Sequence, residues 1–432
     1  MPTPTVGERG EEINNHVHTT YSFSPYTPTT AAKAARAAGL RAVGIMDHDS
    51  VSGAREMMAA CREIGIASTV GFELRTNFSG TRLAGRKLNN PDSVNIAYIA
   101  MHGIPMTRLD DVERFLAPIH TVRNQRNAAM VERLNGVIVG YGLAPIDFQR
   151  DVADRSRAAE GGSITERHLL SALASKVEEK TGRGEPLVRF LTGTLGFALP
   201  NKIAGFLRDR RNPYYHYDLL GVLKGSFLDQ IFIQPNNEEC IAVEDAIAFG
   251  NGISAIPVYA YLGDVAESPT GDKKAEKFED DYLDELIVEV KRLGFKGITY
   301  MPPRNTREQL LRLQRLCRKQ ELMEISGVDI NSPRQSFNCP LLLEPEFAHL
   351  AEATWALIAH EKLAGYADER YALFNRQNPV AARPLTERIR LYAEIGRALD
   401  PHHPEVAGEI VCRYPQLALV AQRVSKCIMH RC

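Results

Sequence analysis

The chain has 432 residues, 44% of them hydrophobic and 24% charged, a composition that excludes a disordered or collagen-like polymer and leaves ample chain for a buried core. Its 52 Lys and Arg against 53 Asp and Glu give a net charge of -1, so no overall field holds a polyanion and the balance favours a small ligand over nucleic acid. No apolar run approaches the roughly 20 residues that cross a bilayer.

From Ile13 to Glu73, short apolar runs (INNHVH, RAVGIMD, IASTVGFEL) alternate with TTAAKAARAAGL and VSGAREMMAACREIG, which favour helix and reach Gly39 and Gly65, each suited to a left-handed C-cap. This rhythm predicts parallel strands with helices outside. VNIAYIAM, Val94 to Met101, predicts a fourth strand. An interruption from about Thr107 to Asn236 reads mainly as helix, with Ser163 and Glu166 as a capping box. The α/β rhythm resumes in ISAIPVYAYL, KFEDDYLDELIVEVKRLG, FKGITYM, TREQLLRLQRLCRKQ and LMEISGVDI, where Thr306 and Gln309 predict a second capping box. Beyond Cys339, FAHLAEATWALIAHEKLAGY and LTERIRLYAEIGRAL carry apolar residues at helical spacing. The expected organisation is one α/β domain in two parts, 12–106 and 237–338, with a mainly helical insertion at 107–236 and a helical C-terminal region at 339–432. SPTGDKKAEKFEDD, Ser268 to Asp281, is the candidate mobile loop; its Lys273 and Lys274 read as solvated surface in preference to a lid.

Polar residues at the strand ends carry the chemistry. His16 and His18 flank Val17, and in extended chain residues i and i+2 share a face, so both imidazoles can reach one ion. The second strand ends in Asp47-His48-Asp49, the third in Gly71-Phe72-Glu73, the fourth in His102 and the last in Gly327-Val328-Asp329-Ile330-Asn331. In a parallel barrel the C-terminal strand ends face one side and build one site. A lone His-x-His or Asp-His pair says little, but the ordered set predicts a metal site; the plainer alternative is hydrogen-bonded histidines closing the barrel mouth.

HVHTTYSFSP, MDHDS, GFE, His102 and GVDIN together resemble the PHP family, named for polymerase and histidinol phosphatase domains, over about residues 12–105 and 237–335. The resemblance implies an α/β fold class, a distorted seven-stranded barrel with the insertion and C-terminal helices outside it, and hydrolysis of phosphate esters by up to three divalent metals. It implies His16, His18, Glu73 and Asp329 as a first site, Glu73 as bridge to a second ion, His102 as ligand of that second ion, and His48 as ligand of a third. The pattern breaks where Tyr261 stands for an expected histidine, where Asn331 ends the terminal Asp-x-His, and at Ser24. Neutral oxygens are poorer Zn²⁺ ligands than imidazole or carboxylate, and Mn²⁺ accepts oxygen more readily. The expectation is therefore one or two ions of Mn, Zn or Fe, with Asp264, Asp47 or Asp49 as compensating carboxylates; Asp264 reads first as a turn residue after Gly263.

Two ions about 3.5 to 4 Å apart would activate a bridging water and clamp a phosphate. His48 would protonate the leaving oxygen and Asp47 would orient it. Arg304, in MPPRNT between a strand end and a helix N-terminus, is the first phosphate-binding candidate, ahead of Arg75 and Arg334. The reading is a metal-dependent phosphoesterase for a small phosphorylated substrate of nucleotide or sugar-phosphate type. One alternative is a nuclease for single strands, using Lys202, Arg208, Arg210 and Arg211 near Tyr214, Tyr215 and Tyr217, although an amphipathic helix with a polar turn explains that stretch more simply. The other is a silent metal- or ligand-binding module whose C-terminal helices, around Trp355, meet a partner, against the plainer view of a core stripe. Seven scattered cysteines without C-x-x-C spacing, and the polar, acidic MPTPTVGERGEE, point to the cytoplasm with no membrane partner. Nothing in the sequence speaks to oligomeric state.

Overall fold

The computed structural model describes residues 11–265 and 277–413; most of the loop expected at Ser268 to Asp281 lies outside the described residues, Lys273 and Lys274 with it. β1 (Ile13–Val17) leads to α1 (Pro28–Ala37), started by Pro28 and by the Thr27 side chain, which accepts from the Thr30 N–H. β2 (Ala42–His48) leads to α2 (Ala54–Ile64), which stops at Gly65 in the left-handed region (φ 68°), its N–H returned to the Cys61 carbonyl. β3 (Ala67–Asn77) and β4 (Ile96–His102) follow. A run of helices intervenes: α3 (Leu109–Ile138), α4 (Glu166–Thr181), α5 (Glu185–Arg189), α6 (Asn201–Arg208), α7 (Tyr215–Ile231) and α8 (Val243–Gly252). Alternation resumes with β5 (Ile256–Tyr261), α9 (Leu283–Leu293), β6 (Gly297–Tyr300), α10 (Arg307–Gln320) and β7 (Met323–Ser326), α10 opening on the expected Thr306–Gln309 capping box. The described chain ends in α11 (Ala348–Tyr366), α12 (Leu385–Ala398) and α13 (Val406–Arg413).

The seven strands form one sheet in sequential order. β1, β2 and β3 are parallel, as are β5, β6 and β7, but β4 is antiparallel to both neighbours. This corrects the expectation that all strand ends face one side. A parallel neighbour needs a long crossover, usually a helix, and residues 78–95, FSGTRLAGRKLNNPDSVN, hold Gly, Asn and Pro and no helix. The chain therefore comes back directly alongside β3.

The sheet curls, and the segment after β7 returns to β1. Val17 bridges Ile330; the His18 N–H donates to the Ile330 carbonyl at 2.9 Å, and the Ile330 N–H to the His16 carbonyl at 3.1 Å. Nearby the Asn14 carboxamide supplies the rungs that backbone does not: Nδ2 donates to the Val328 carbonyl at 3.0 Å, while Oδ1 accepts from the Val328 N–H at 2.8 Å. The Asn15 Nδ2 donates to the Ser326 carbonyl at 3.0 Å and to Thr354 Oγ1 of α11 at 2.7 Å.

α11 is buried on nearly every face, from Leu350 to Ala364, and joins the same apolar cluster as the sheet. Trp355 lies inside that cluster, its Nε1 donating to Glu11 at 2.6 Å, so it presents no partner surface. A second apolar cluster is built from α3 to α7. α3 belongs to both: Leu109, Val112, Leu116 and Ile119 pack on the sheet's cluster, and Met130, Val131, Leu134 and Ile138 in the second. The capping box of α4 is Thr165 with His168, not Ser163 with Glu166. The Ser163 hydroxyl accepts instead from Arg123 at 3.2 Å, and Glu166 binds arginines.

Candidate metal centre

The curl brings the ends of β1 and β2, and Glu73 from within β3, against the segment after β7. His16 is the fourth residue of β1 and His18 the first residue beyond it, and their Nε2 atoms converge to 3.2 Å. Glu73 of β3 reaches His16 Nε2 at 3.3 Å and His18 Nε2 at 3.9 Å. Asp329 Oδ1 stands 3.0 Å from His18 Nε2, and His48 Nδ1 stands 3.1 Å from Glu73 Oε2. Ligating atoms of His16, His18 and Glu73 all lie within 4.8 Å of one another, and among the described residues this is the only such group.

His102 arrives from the other direction. Because β4 is antiparallel, His102 pairs with Gly71, two residues before Glu73, and so lies deeper than the strand ends. Its ring is buried, and its Nε2 has no hydrogen-bond partner.

The electrostatics follow from burial of mixed charge. Burial opposes charge on His16, but Glu73, with Asp329 and Asp47, pushes its pKa up. Burial and the neighbouring His48 push His18 down despite Asp329. Against their burial, the histidines hold the Glu73 and Asp329 carboxyls well below the usual carboxylate range. Burial lowers His102 to about 3, so its imidazole is neutral at pH 7 and is in the form that binds metal.

This donor set fits a divalent cation. One imidazole proton cannot serve at once the facing nitrogen and two carboxylates, whereas an ion accepts all four lone pairs together. The unpartnered Nε2 of His102 adds a buried donor atom with nothing else to bind.

Other expected residues go elsewhere. Asp47 does not orient His48: successive strand residues point to opposite faces, and Asp47 accepts from the Thr19 N–H, the Thr19 hydroxyl and the Ser22 hydroxyl, each at 2.6 Å. It thereby fixes the turn after β1, and Ser22 Oγ lies 3.4 Å from His18 Nδ1. Asp49 sits at φ 49° and pairs with Arg123. Asp264 Oδ1 accepts from the Phe278 N–H at 2.7 Å, and the Tyr261 hydroxyl donates to Asp280 at 2.6 Å. Ser24 Oγ accepts from the Tyr26 N–H at 3.3 Å. Asn331 donates from Nδ2 to Asp329 Oδ1 at 2.6 Å.

The arginines are also redistributed. Arg304 donates to the Leu262 carbonyl at 3.4 Å and makes none of the cluster's described contacts. Arg75, Arg123 and Arg126 are buried against Glu166, Glu239 and Asp49. Arg334 is bidentate on Asp218, with both bonds at 2.8 Å, and covers the Phe206 ring. Sequence reasoning missed Arg167 on α4, whose Nη1 donates to Asn331 Oδ1 at 2.8 Å. No local spacing signals it, since its partner is 164 residues away. Of the basic and aromatic stretch, Lys202, Arg208, Arg210, Arg211 and Tyr214 are exposed and Tyr215 is not. Tyr215 is buried, accepting from the Gly184 N–H at 2.9 Å and donating to the Leu207 carbonyl at 3.0 Å, and Arg208 pairs with Glu185. A cavity of about 320 Å³ opens by Ala67, at the other end of β3 from Glu73, between α2 and the C-terminal helices. None of the cluster residues lines it.

Compared with known families, residues 14–138 match a family model. It is that of the PHP domain. The PHP match spans His16, His18, His48, Glu73 and His102, and ends at the last residue of α3, well before Asp329. A 5'-3' exoribonuclease of Haemophilus influenzae is 35% identical over 65 residues, which are 15% of this chain and 24% of that enzyme. The chain thus aligns with about a quarter of that relative's length. A solved structure from Bifidobacterium adolescentis, provisionally described as a metal-dependent phosphoesterase, has a TM-score of 0.49 at 20% identity, covering 78% of this chain and 94% of its own. An amidohydrolase from Chromobacterium violaceum, solved with bound sulfate and no metal, has a TM-score of 0.48 at 17% identity, covering 76% and 90%. Among the described residues no helix is long and apolar enough to cross a membrane.

Proposed function

We propose that the chain is a metal-dependent phosphoesterase that hydrolyses a phosphate ester on a small molecule of nucleotide or sugar-phosphate type. The observation that carries the reading is the convergence of His16, His18 and Glu73, all within the PHP match, joined from beyond it by Asp329 at His18. His16, His18, Glu73 and Asp329 hold a first divalent ion; Glu73, facing His48 as well, and the buried His102 extend the set towards a second. One or two ions of Mn, Zn or Fe suit these nitrogen and carboxylate donors. A bound ion supplies Lewis-acid polarisation of a phosphoryl oxygen and activates water at neutral pH.

The chain's own residues do the rest. Glu73 fixes Nδ1 of His48, which leaves Nε2, on the opposite side of the partly exposed ring, to protonate the leaving oxygen. Asp47 and Ser22 support His18 from behind, the role of an outer partner that holds a ligand's orientation. The Val17–Ile330 bridge supports a PHP-type distorted barrel in two parts, 12–106 and 237–338, with 107–236 inserted and 339–432 following. Cys61, Cys240, Cys317 and Cys339 are buried and free, which supports the cytoplasm.

The test is metal stoichiometry together with hydrolysis of an aryl phosphate after Mn²⁺ or Zn²⁺ loading, in the wild type and in Asp329→Ala. Metal-dependent turnover lost in the variant is the expected result; tight metal binding without any turnover in the wild type would move the reading to a silent binding module. The exoribonuclease relative favours a second reading, a nucleic-acid end as substrate. Cleavage of 5'-phosphorylated single-stranded RNA, with affinity falling steeply as salt rises, would favour it over a mononucleotide.

A further inference from the structure

If the centre hydrolyses phosphate esters, as proposed above, some cation must take the phosphoryl oxygens that the ions do not. Arginine suits this role because its planar fork matches phosphate geometry. The arginines near the centre differ in what already holds them. Arg75 donates to Glu239 at 2.8 Å and to Glu166 at 3.3 Å, Arg123 to Glu239 at 3.0 Å and to Asp49, and Arg126 to Glu239 at 2.6 Å and to Glu166 at 2.8 Å. Three guanidiniums face three carboxylates there, and their charge is spent. Arg334 is spent on Asp218.

Arg167 is different. Its described hydrogen bonds all go from Nη1 to Asn331, to Oδ1 at 2.8 Å and to the backbone carbonyl at 3.3 Å, both neutral acceptors. Among the described residues no carboxylate pairs with it directly, and Nε and Nη2 make no described hydrogen bond. Asn331 in turn donates from Nδ2 to Asp329 Oδ1 at 2.6 Å, and the same Oδ1 stands 3.0 Å from His18 Nε2. The guanidinium is thus two hydrogen bonds from the converging donors, close enough for its charge to help hold Asp329 ionised. The Asn331 backbone N–H is itself tied to Gln335 Oε1 at 2.8 Å, which steadies the relay.

We propose that Arg167, carried in by α4 and aimed by Asn331, is the phosphate-binding residue of this centre, with Asn331 a positioning residue and not a metal ligand. The Asn331 Oδ1 that would face an ion is occupied by Arg167. The departure of Asn331 from the family's histidine is then matched by a cation that the insertion provides.

The experiment is calorimetric titration of Mn²⁺-loaded protein with inorganic phosphate, in the wild type, Arg167→Gln, Arg167→Lys and Asn331→Ala, alongside aryl phosphate kinetics. Arg167→Gln is expected to weaken phosphate binding by about tenfold or more, the scale of a lost charge-assisted contact. Arg167→Lys should recover part of it, and Asn331→Ala should raise KM more than it lowers kcat. Metal stoichiometry and Tm measured on each variant separate loss of the contact from loss of the fold. Phosphate affinity within twofold of wild type in a folded Arg167→Gln, or no phosphate binding by the wild type at millimolar concentration, would overturn the proposal. Arginine-dependent phosphate binding in a protein that turns over no ester would instead remove the phosphoesterase reading and leave the clamp standing.

Discussion

Replacing His102 by leucine separates its cost to the fold from its use at the centre. The imidazole is buried and its Nε2 has no partner, and a buried unsatisfied polar atom costs about 1–3 kcal/mol. Leucine fills a similar volume without a polar atom, and a volume-conserving swap usually costs less than about 1.5 kcal/mol. In chelator-treated protein, His102→Leu is therefore expected to be as stable as the wild type or more so by about 1 kcal/mol. With Mn²⁺ at about a hundred times the wild-type Kd of the second site, the wild type gains about 2.7 kcal/mol from that site by mass action, and the variant loses most of that gain. The assay is urea unfolding of both proteins with EDTA and with Mn²⁺, so that the sign of the difference reverses between conditions. A variant destabilised equally in both, or one that keeps the full Mn²⁺ increment, would falsify the assignment of His102 as a donor held ready at a cost to the fold.

Glu73→Ala removes the carboxylate that faces His16, His18 and His48. It should lower metal content per chain and cut turnover by about 100-fold or more; unchanged metal stoichiometry would remove Glu73 from the ligand set. Asp47→Asn weakens the three contacts to Thr19 and Ser22 and should cost about 1–3 kcal/mol in denaturant unfolding. Unaltered stability would show that the turn after β1 does not depend on it. His360 of α11 lies against the Gly103 carbonyl at 3.0 Å through Nε2 and accepts from the Leu373 N–H at 2.8 Å through Nδ1, and burial lowers its pKa to about 4. A depressed imidazole pKa means the unfolded chain takes up the proton first. Its contribution is whole above about pH 6.5 and is lost as pH falls towards 4, about 3 kcal/mol in all. The slope of stability against pH in that window should flatten by one proton in His360→Gln, and an unchanged slope would count against it.

The legible part of this protein was what lies along one strand or one turn. His16 and His18 declare themselves by spacing and His48 by ending β2, whereas Glu73, which reads as a strand end, lies beside His48 four residues before β3 ends at Asn77. The direction of β4 was less visible, although residues 78–95 carry the sign of it: a stretch with no helix cannot cross over to a parallel neighbour. Reading that stretch would have placed His102 beneath Glu73 instead of beside it. The capping box of α4 was misplaced by two residues because Ser163 and Glu166 have partners far away in sequence, Arg123 and the arginine network, which no local pattern contains. The same distance hides Arg167. Asp47 is next to His48 in sequence but bonds Thr19 and Ser22, since a pleated strand turns neighbours to opposite faces.

The double membership of α3 bears on how this protein comes apart. Its 30 residues form a rod of about 45 Å, with one end seated among the strands and the other among α4 to α7. Melting α4 to α7 would strip packing from Met130 to Ile138 and loosen the same rod that covers the sheet with Leu109 to Ile119. The buried arginine network reinforces the joint, since Arg126 on α3 holds Glu166 of α4 and, with Arg123, Glu239 just before α8. Two apolar interiors therefore share one cooperative element, and heat or denaturant should dismantle them in a single transition instead of shedding α4 to α7 first.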